Sequence, residues 1–121
     1  MSVFNSEAEY RACIKKTVDQ IGKAFENVDP DVAECEMQFG ALTILITKGP
    51  KGAKCILSAQ PSVQQLWLAI ASRGVAFHFN YDPAVQKWLD DKGKNIELTS
   101  YLNAYLLAET GLDLKLAAIG G

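Results

Sequence analysis

Gln65-Leu66-Trp67-Leu68-Ala69 decides the reading of this chain. Leu66 and Leu68 alternate with Gln65, Trp67 and Ala69, and alternation at period two marks a strand with one buried and one open face. With the leucines turned to a core, Gln65 and Trp67 are expected to stand substantially exposed on the outer face. An outward tryptophan is suited to anchor a partner, because it buries much area with few torsions to freeze. The plainer alternative covers both faces and makes Trp67 core.

Working outward, the neighbouring segments repeat the pattern. In Ala33-Glu34-Cys35-Glu36-Met37-Gln38-Phe39 the apolar and polar sets alternate, and Gly40 permits a tight turn. Leu42 to Thr47 reads as a more buried strand, Lys48 to Gly52 as a loop, and Ala53 to Leu57 as a third strand. The segment with Trp67 is the fourth, Val75 to Phe79 the fifth, and Trp88-Leu89 a short sixth. The close, regular spacing predicts a meander with antiparallel pairing.

Helical signals flank the strands. Ser6-Glu7-Ala8-Glu9 is a capping box, and Tyr10, Ile14, Val18, Ile21, Phe25 and Val28 recur at three- and four-residue steps. Asp29-Pro30-Asp31 stops that helix, placing it over about residues 6–28. A second helix is expected over about 96–109, with Leu98, Tyr101, Leu102, Tyr105 and Leu106 as its stripe and Gly111 as its C-terminal stop. The tail, 112–121, carries Leu112, Leu114 and Leu116 at alternate positions, all expected to dock on the helices. The expected fold is a single α+β domain over 1–121, a two-layer αβ sandwich with both helices on one face of an antiparallel sheet spanning about 32–89. The other face is left to solvent or a partner.

Composition narrows the function. The 121 residues are 49% hydrophobic and 21% charged with net charge −2, which fits a globular chain and not a disordered one. A chain of this length buries about two thirds of its unfolded surface, enough for one core. The longest uncharged run, Cys55 to Ser72, is broken by Gln60, Pro61, Ser62, Gln64 and Gln65, so no membrane span is expected. A pI near 5.3 argues against nucleic acid. Glu7 and Glu9 sit where a signal peptide would be apolar, which points to a bacterial cytoplasmic protein, or to the mitochondrial matrix for a processed eukaryotic form. Cys13, Cys35 and Cys55 read as reduced, buried small hydrophobes, not a disulfide framework or zinc site.

Asp29, Asp31, Glu34 and Glu36 place four carboxylates within eight residues. On an extended strand Glu34 and Glu36 project from one face about 7 Å apart. Such oxygens suit hard or borderline cations, Fe(II), Fe(III), Mn(II) or Ca(II), held weakly and with water retained. The bland alternative is a solubilising strand face. His78 alternates with Phe77 and Phe79 and is more simply a structural donor than a ligand. Asp90-Asp91-Lys92-Gly93 reads as a turn with an Asx-type bond. No nucleophile–base pairing, phosphate loop or zinc spacing is present in the sequence.

The order of these features resembles the frataxin family in its bacterial branch. It runs through Asp29-x-Asp31, Glu34-Cys35-Glu36, Gly40-Ala41-Leu42-Thr43-Ile44, Gln65-Leu66-Trp67-Leu68, Phe77-His78-Phe79, Trp88 and Asp91-x-Gly93. The resemblance spans about Ser6 to Leu116. It implies an iron-binding adaptor of iron–sulfur cluster assembly that docks on a cysteine desulfurase and its scaffold protein, through Gln60, Gln65 and Trp67. It also implies weak Fe2+/Fe3+ binding on an acidic ridge of Asp19, Glu26, Asp29, Asp31, Glu34 and Glu36. A monomer is expected, with iron-dependent oligomers as a further state. The alternatives are a ferroxidase or iron-storage activity on the ridge, and a metal-independent protein-binding module. Ferroxidases built for turnover hold irons in buried carboxylate and histidine sites, which an open strand face does not supply. The chain departs from the family at Ser58 and Ala59, where an asparagine and a basic residue are usual, and Pro61 falls one place early. Lys15, Lys16 and Lys23 also make its first helix less acidic.

Overall fold

The structure, a computed structural model, describes residues 3–38, 41–48 and 53–116. Helix α1 (Glu7–Lys23) leads into strands β1 (Ala33–Gln38), β2 (Ala41–Ile46), β3 (Ala53–Gln60), β4 (Gln65–Ile70), β5 (Val75–Asp82) and β6 (Lys87–Asp90), and helix α2 (Leu98–Thr110) closes the order. The six strands form one sheet in chain order, every neighbour antiparallel. This is the expected α+β architecture, two helices against a six-stranded meander. The expected strand end at Phe39, the turn at Gly40, most of the loop at 48–52 and the tail beyond Leu116 lie outside the described residues.

The period-two reading holds from β2 to β6, while on the edge strand β1 Met37 stands 51% exposed. Leu42, Ile44 and Ile46, then Cys55 and Leu57, then Leu66, Leu68 and Ile70, then Phe79 and Trp88 are all buried. They meet Tyr10, Ile14, Val18 and Ile21 of α1 and Leu98, Leu102, Tyr105 and Leu106 of α2 in one core. Burying each such side chain contributes about 1.5–3 kcal/mol. Trp88 is core, its Nε1 donating to Thr17 Oγ1 at 3.0 Å and so tying β6 to α1.

Three boundaries differ from expectation. Helix α1 ends at Lys23, not near Val28. Beyond it the N–H groups of Ala24, Phe25, Glu26 and Val28 bond three residues back, the tighter 3₁₀ pattern. An apolar stripe at steps of three and four suits both helix types, so periodicity could not separate them. Strand β3 runs on to Gln60 and β5 to Asp82, because strand pairing continues past the apolar cores of these segments. In the tail, Leu116 is fully buried and its N–H donates to Asn103 Oδ1 at 3.0 Å, but Leu112 is 38% exposed. Gly111, at φ +78°, turns the chain away at Leu112, so only the later leucines reach the core.

The helix ends are satisfied locally. Ser6 Oγ accepts the Glu9 N–H at 3.1 Å. Glu97 caps α2, its carboxylate accepting the N–H groups of Thr99 and Ser100 at 2.7 and 3.0 Å. At the other end Lys48 Nζ donates to the Thr110 carbonyl at 3.1 Å, a cation on a helix C-terminus. Among the described residues no helix is long and apolar enough to cross a membrane.

Candidate functional site on the open sheet face

Both helices cover the same face of the sheet, so the side chains of the opposite face stand outward. Register sets their rows. Ala41, Ser58, Trp67 and His78 align across β2 to β5, and Thr43, Ile56, Ala69 and Ala76 form the next row. Ala69 and Ala76 are exposed and Ile56 is half-buried, so this second row is a flat, small-residue surface. A shallow groove of about 260 Å³ runs over Lys54, Ile56, Ala69 and Ala76.

Trp67 faces outward, as the alternation requires, while Leu66 and Leu68 on either side are 0% exposed. Trp67 and Gln65 are nevertheless half-buried, not broadly exposed. The reason is a set of side-chain contacts that strand periodicity does not reveal. The indole stacks on His78, ring centroids 4.0 Å apart and planes 13° apart. Its Nε1 donates to Gln65 Oε1 at 2.8 Å. Gln65 Nε2 donates in turn to Asn80 Oδ1 and Asp91 Oδ2, each at 3.2 Å. His78 Nδ1 lies 3.7 Å from Asp91 Oδ2, outside hydrogen-bond reach but within range of an ion pair once the imidazole is protonated.

The loop after β6 holds Asp91 in place. The Asp90 carboxylate accepts the N–H groups of Lys92, Lys94 and Ile96 at 3.2, 3.2 and 2.9 Å. Its burial works against the charged form, but these backbone donors and the Lys94 charge outweigh it and hold Asp90 below the ordinary carboxylate value. The Asx-type turn expected at Asp90 to Gly93 is therefore present. Asp91 adds a role, because its N–H also donates to the His78 carbonyl at 2.9 Å. A pocket of about 470 Å³ opens beside it, lined by Phe77, His78, Asp91, Lys92 and Lys94.

Gln60 occupies the end of β3 and faces outward across from Gln65. Its N–H donates to Tyr10 Oη at 2.9 Å, and Tyr10 Oη donates to the Gln65 carbonyl at 2.6 Å. The buried tyrosine of α1 thereby pins the β3–β4 turn from behind. Ser58, paired with Trp67 across β3 and β4, puts a small side chain beside the indole, while Ala59, paired with Leu66, turns to the core.

The acidic residues gather along the β1 edge without converging. Asp19 and Glu26 border a groove of about 460 Å³ on the helix side of β1, together with Lys23, Cys35 and Met37. Glu34 and Glu36 border a hollow of about 510 Å³ on the open face, with Thr43, Leu45 and Lys54. Asp29 and Asp31 lie in the turn between, where Asp29 Oδ1 accepts the Asp31 N–H at 2.9 Å. Asp19 pairs with Lys15. Among the described residues no three His, Cys, Asp or Glu side chains come together as a metal site would need. Lys23 and Lys54 further dilute the field on both sides. The arrangement is a dispersed negative edge, suited to hydrated cations or to steering a basic surface.

The cysteines offer no nucleophile. Burial pushes all three thiols up, Cys55 to about 12. The parts of His78, Asn80 and Asp91 in this network are not evident from the residue pattern alone. The signal was the β4–β5 hairpin: with Ile70 paired to Val75, Trp67 must fall opposite His78.

Comparison with known proteins agrees with this geometry. A family model described as a frataxin-like domain matches residues 3–112. An iron-sulfur cluster assembly protein CyaY of Pseudomonas fluorescens (strain Pf0-1) is 35% identical over 108 residues, 89% of this chain and 92% of that one. The protein of the same name from Pseudomonas aeruginosa is 34% identical over 110 residues, 91% of this chain and 95% of that one. Among solved structures, a frataxin from Psychromonas ingrahamii matches with a TM-score of 0.74 at 20% identity, covering 90% of this chain and 97% of that chain, and so shares the fold. With its helix-backed meander, outward Gln65 and Trp67 and acidic β1 edge, the chain belongs to the frataxin-like family.

Proposed function

We propose that this protein serves iron–sulfur cluster assembly as a non-catalytic adaptor. Its open sheet face docks on a cysteine desulfurase and scaffold protein, with Trp67 as anchor and Gln60 and Gln65 beside it. The β1-edge carboxylates steer a basic partner surface and hold iron weakly as cargo. The observation that carries this reading is the uncovered sheet face with an aromatic plate at its centre, because an apolar surface left open on a small domain calls for a partner. The names of the bacterial relatives support the cluster-assembly role, and their sources support a bacterial cytoplasmic setting. The dispersed acids favour cargo over turnover, since oxidation of paired irons needs ligands drawn into one shell.

The test is association with a purified bacterial cysteine desulfurase–scaffold complex. Trp67→Ala is expected to fold and to weaken binding about 30-fold or more, the scale of an interface hot spot. Glu34→Lys with Glu36→Lys is expected to slow association and flatten its salt dependence. Unchanged binding in Trp67→Ala would contradict the docking reading.

A further inference from the structure

We propose, resting on the docking reading above, that His78 is the positioning residue that holds Trp67 in its docking orientation. The indole has little freedom in this structure. One of its faces lies on the imidazole, centroids 4.0 Å apart, and its only donor is taken by Gln65 Oε1 at 2.8 Å. On its other side in the row stand Ser58 and then Ala41, both too small to fix a ring. The stack on His78 therefore sets the ring plane, and Gln65 sets its rotation within that plane.

Each support is itself held. Gln65 Nε2 is shared between Asn80 Oδ1 and Asp91 Oδ2. The Asp91 backbone is tied to the His78 carbonyl. Asp91 is presented by a loop that the Asp90 carboxylate cages through three N–H groups. Asp90 thus turns inward to build the loop, and its neighbour turns outward to complete the plate. An anchor ordered before docking loses less side-chain freedom on association than one that the partner must order. With the N–H and one face occupied, the partner meets the remaining ring face and edge over Ser58.

The test uses protein carrying 5-fluorotryptophan, in which Trp67 and Trp88 each give a ¹⁹F NMR line. The probe is a purified bacterial cysteine desulfurase–scaffold complex. His78→Ala is expected to shift and broaden the Trp67 line, leave the Trp88 line in place, and weaken binding about three- to tenfold, the size of one aromatic stack. His78→Phe restores a flat ring and is expected to recover both line and affinity. His78→Leu, which keeps bulk without planarity, is expected to fail like alanine and serves if the alanine variant unfolds. Wild-type affinity in the alanine or leucine variant, or an unmoved Trp67 line, overturns the positioning role. Trp67→Ala separates the two ideas. Loss of binding there without loss at His78 sinks only the inference about His78, and wild-type binding there sinks the docking reading and this inference together.

Discussion

The Trp67 indole lies flat on the His78 imidazole, 4.0 Å between centroids, while the adjacent Leu66 and Leu68 point the other way into the core. One strand therefore serves stability with its inner side chains and presents a surface with its outer ones. Exchanging them one at a time separates the two. Leu68→Ala is expected to lower stability by about 2–5 kcal/mol, the range for a large-to-small core change. Trp67→Ala gives up the stack and part of the half-buried ring, an expected loss of about 1–2 kcal/mol. Urea unfolding of both variants checks the ratio. Equal losses would make Trp67 a core residue.

Tyr10 joins the helix layer to the turn that precedes Trp67. Its hydroxyl accepts from the Gln60 N–H and donates to the Gln65 carbonyl. Burial raises its pKa above 10.0, so it stays protonated through the neutral range. Tyr10→Phe leaves both backbone groups without this partner and is expected to cost about 1–3 kcal/mol. Thermal melts and amide exchange at Gln60 check it, and unchanged protection there would show that the turn holds itself.

Asp90 and Glu97 predict the acid limb of stability. For each, burial works against the charge, but hydrogen bonds outweigh it: the N–H groups of Ile96, Lys94 and Lys92 for Asp90, and Thr99 and Ser100 for Glu97. Both folded pKa values fall below the ordinary 3.8 and 4.5. Groups with lowered folded pKa values contribute stability that is present above their unfolded values and lost as pH falls through the folded ones. Asp90→Asn with Glu97→Gln is therefore expected to be less stable than wild type at neutral pH, with the gap closing below about pH 4. A gap of the same size at pH 3 and pH 7 would contradict this.

Iron should find the β1 edge in a dispersed way. Fe(II) added to isotope-labelled protein is expected to broaden amides at Asp19, Glu26, Asp29, Asp31, Glu34 and Glu36, with micromolar or weaker affinity because exposed carboxylates leave the ion hydrated. Glu34→Gln with Glu36→Gln should reduce the open-face share and leave that near Asp19 and Glu26. Broadening centred on His78 or the cysteines would move the site elsewhere.

Much of the fold was legible because its signals are local. The alternation around Trp67, the Ser6 cap, and the Gly111 stop each name a structure within a few residues. The end of α1 was not, because Ile21, Phe25 and Val28 keep the same spacing in an α-helix and a 3₁₀ turn. The candidate site was half legible. Trp67 and the acids announce themselves by residue type, but the half-burial of Trp67 depends on His78, eleven positions away, and Gln65 beside it is held by Asp91, twenty-six positions from Gln65. Such contacts come from register and loop geometry, which residue-level patterns do not carry.

Docking through the open sheet face is tested most directly by hydrogen exchange of the protein free and bound to a cysteine desulfurase–scaffold complex, with the Trp67 side-chain N–H followed by NMR. The Trp67 indole signal is expected to shift and protection to rise through β3, β4 and β5, around Ile56, Ala69, Ala76 and His78, with α2 unchanged. Protection confined to the outer surfaces of α1 and α2, with the Trp67 signal unmoved, would contradict it.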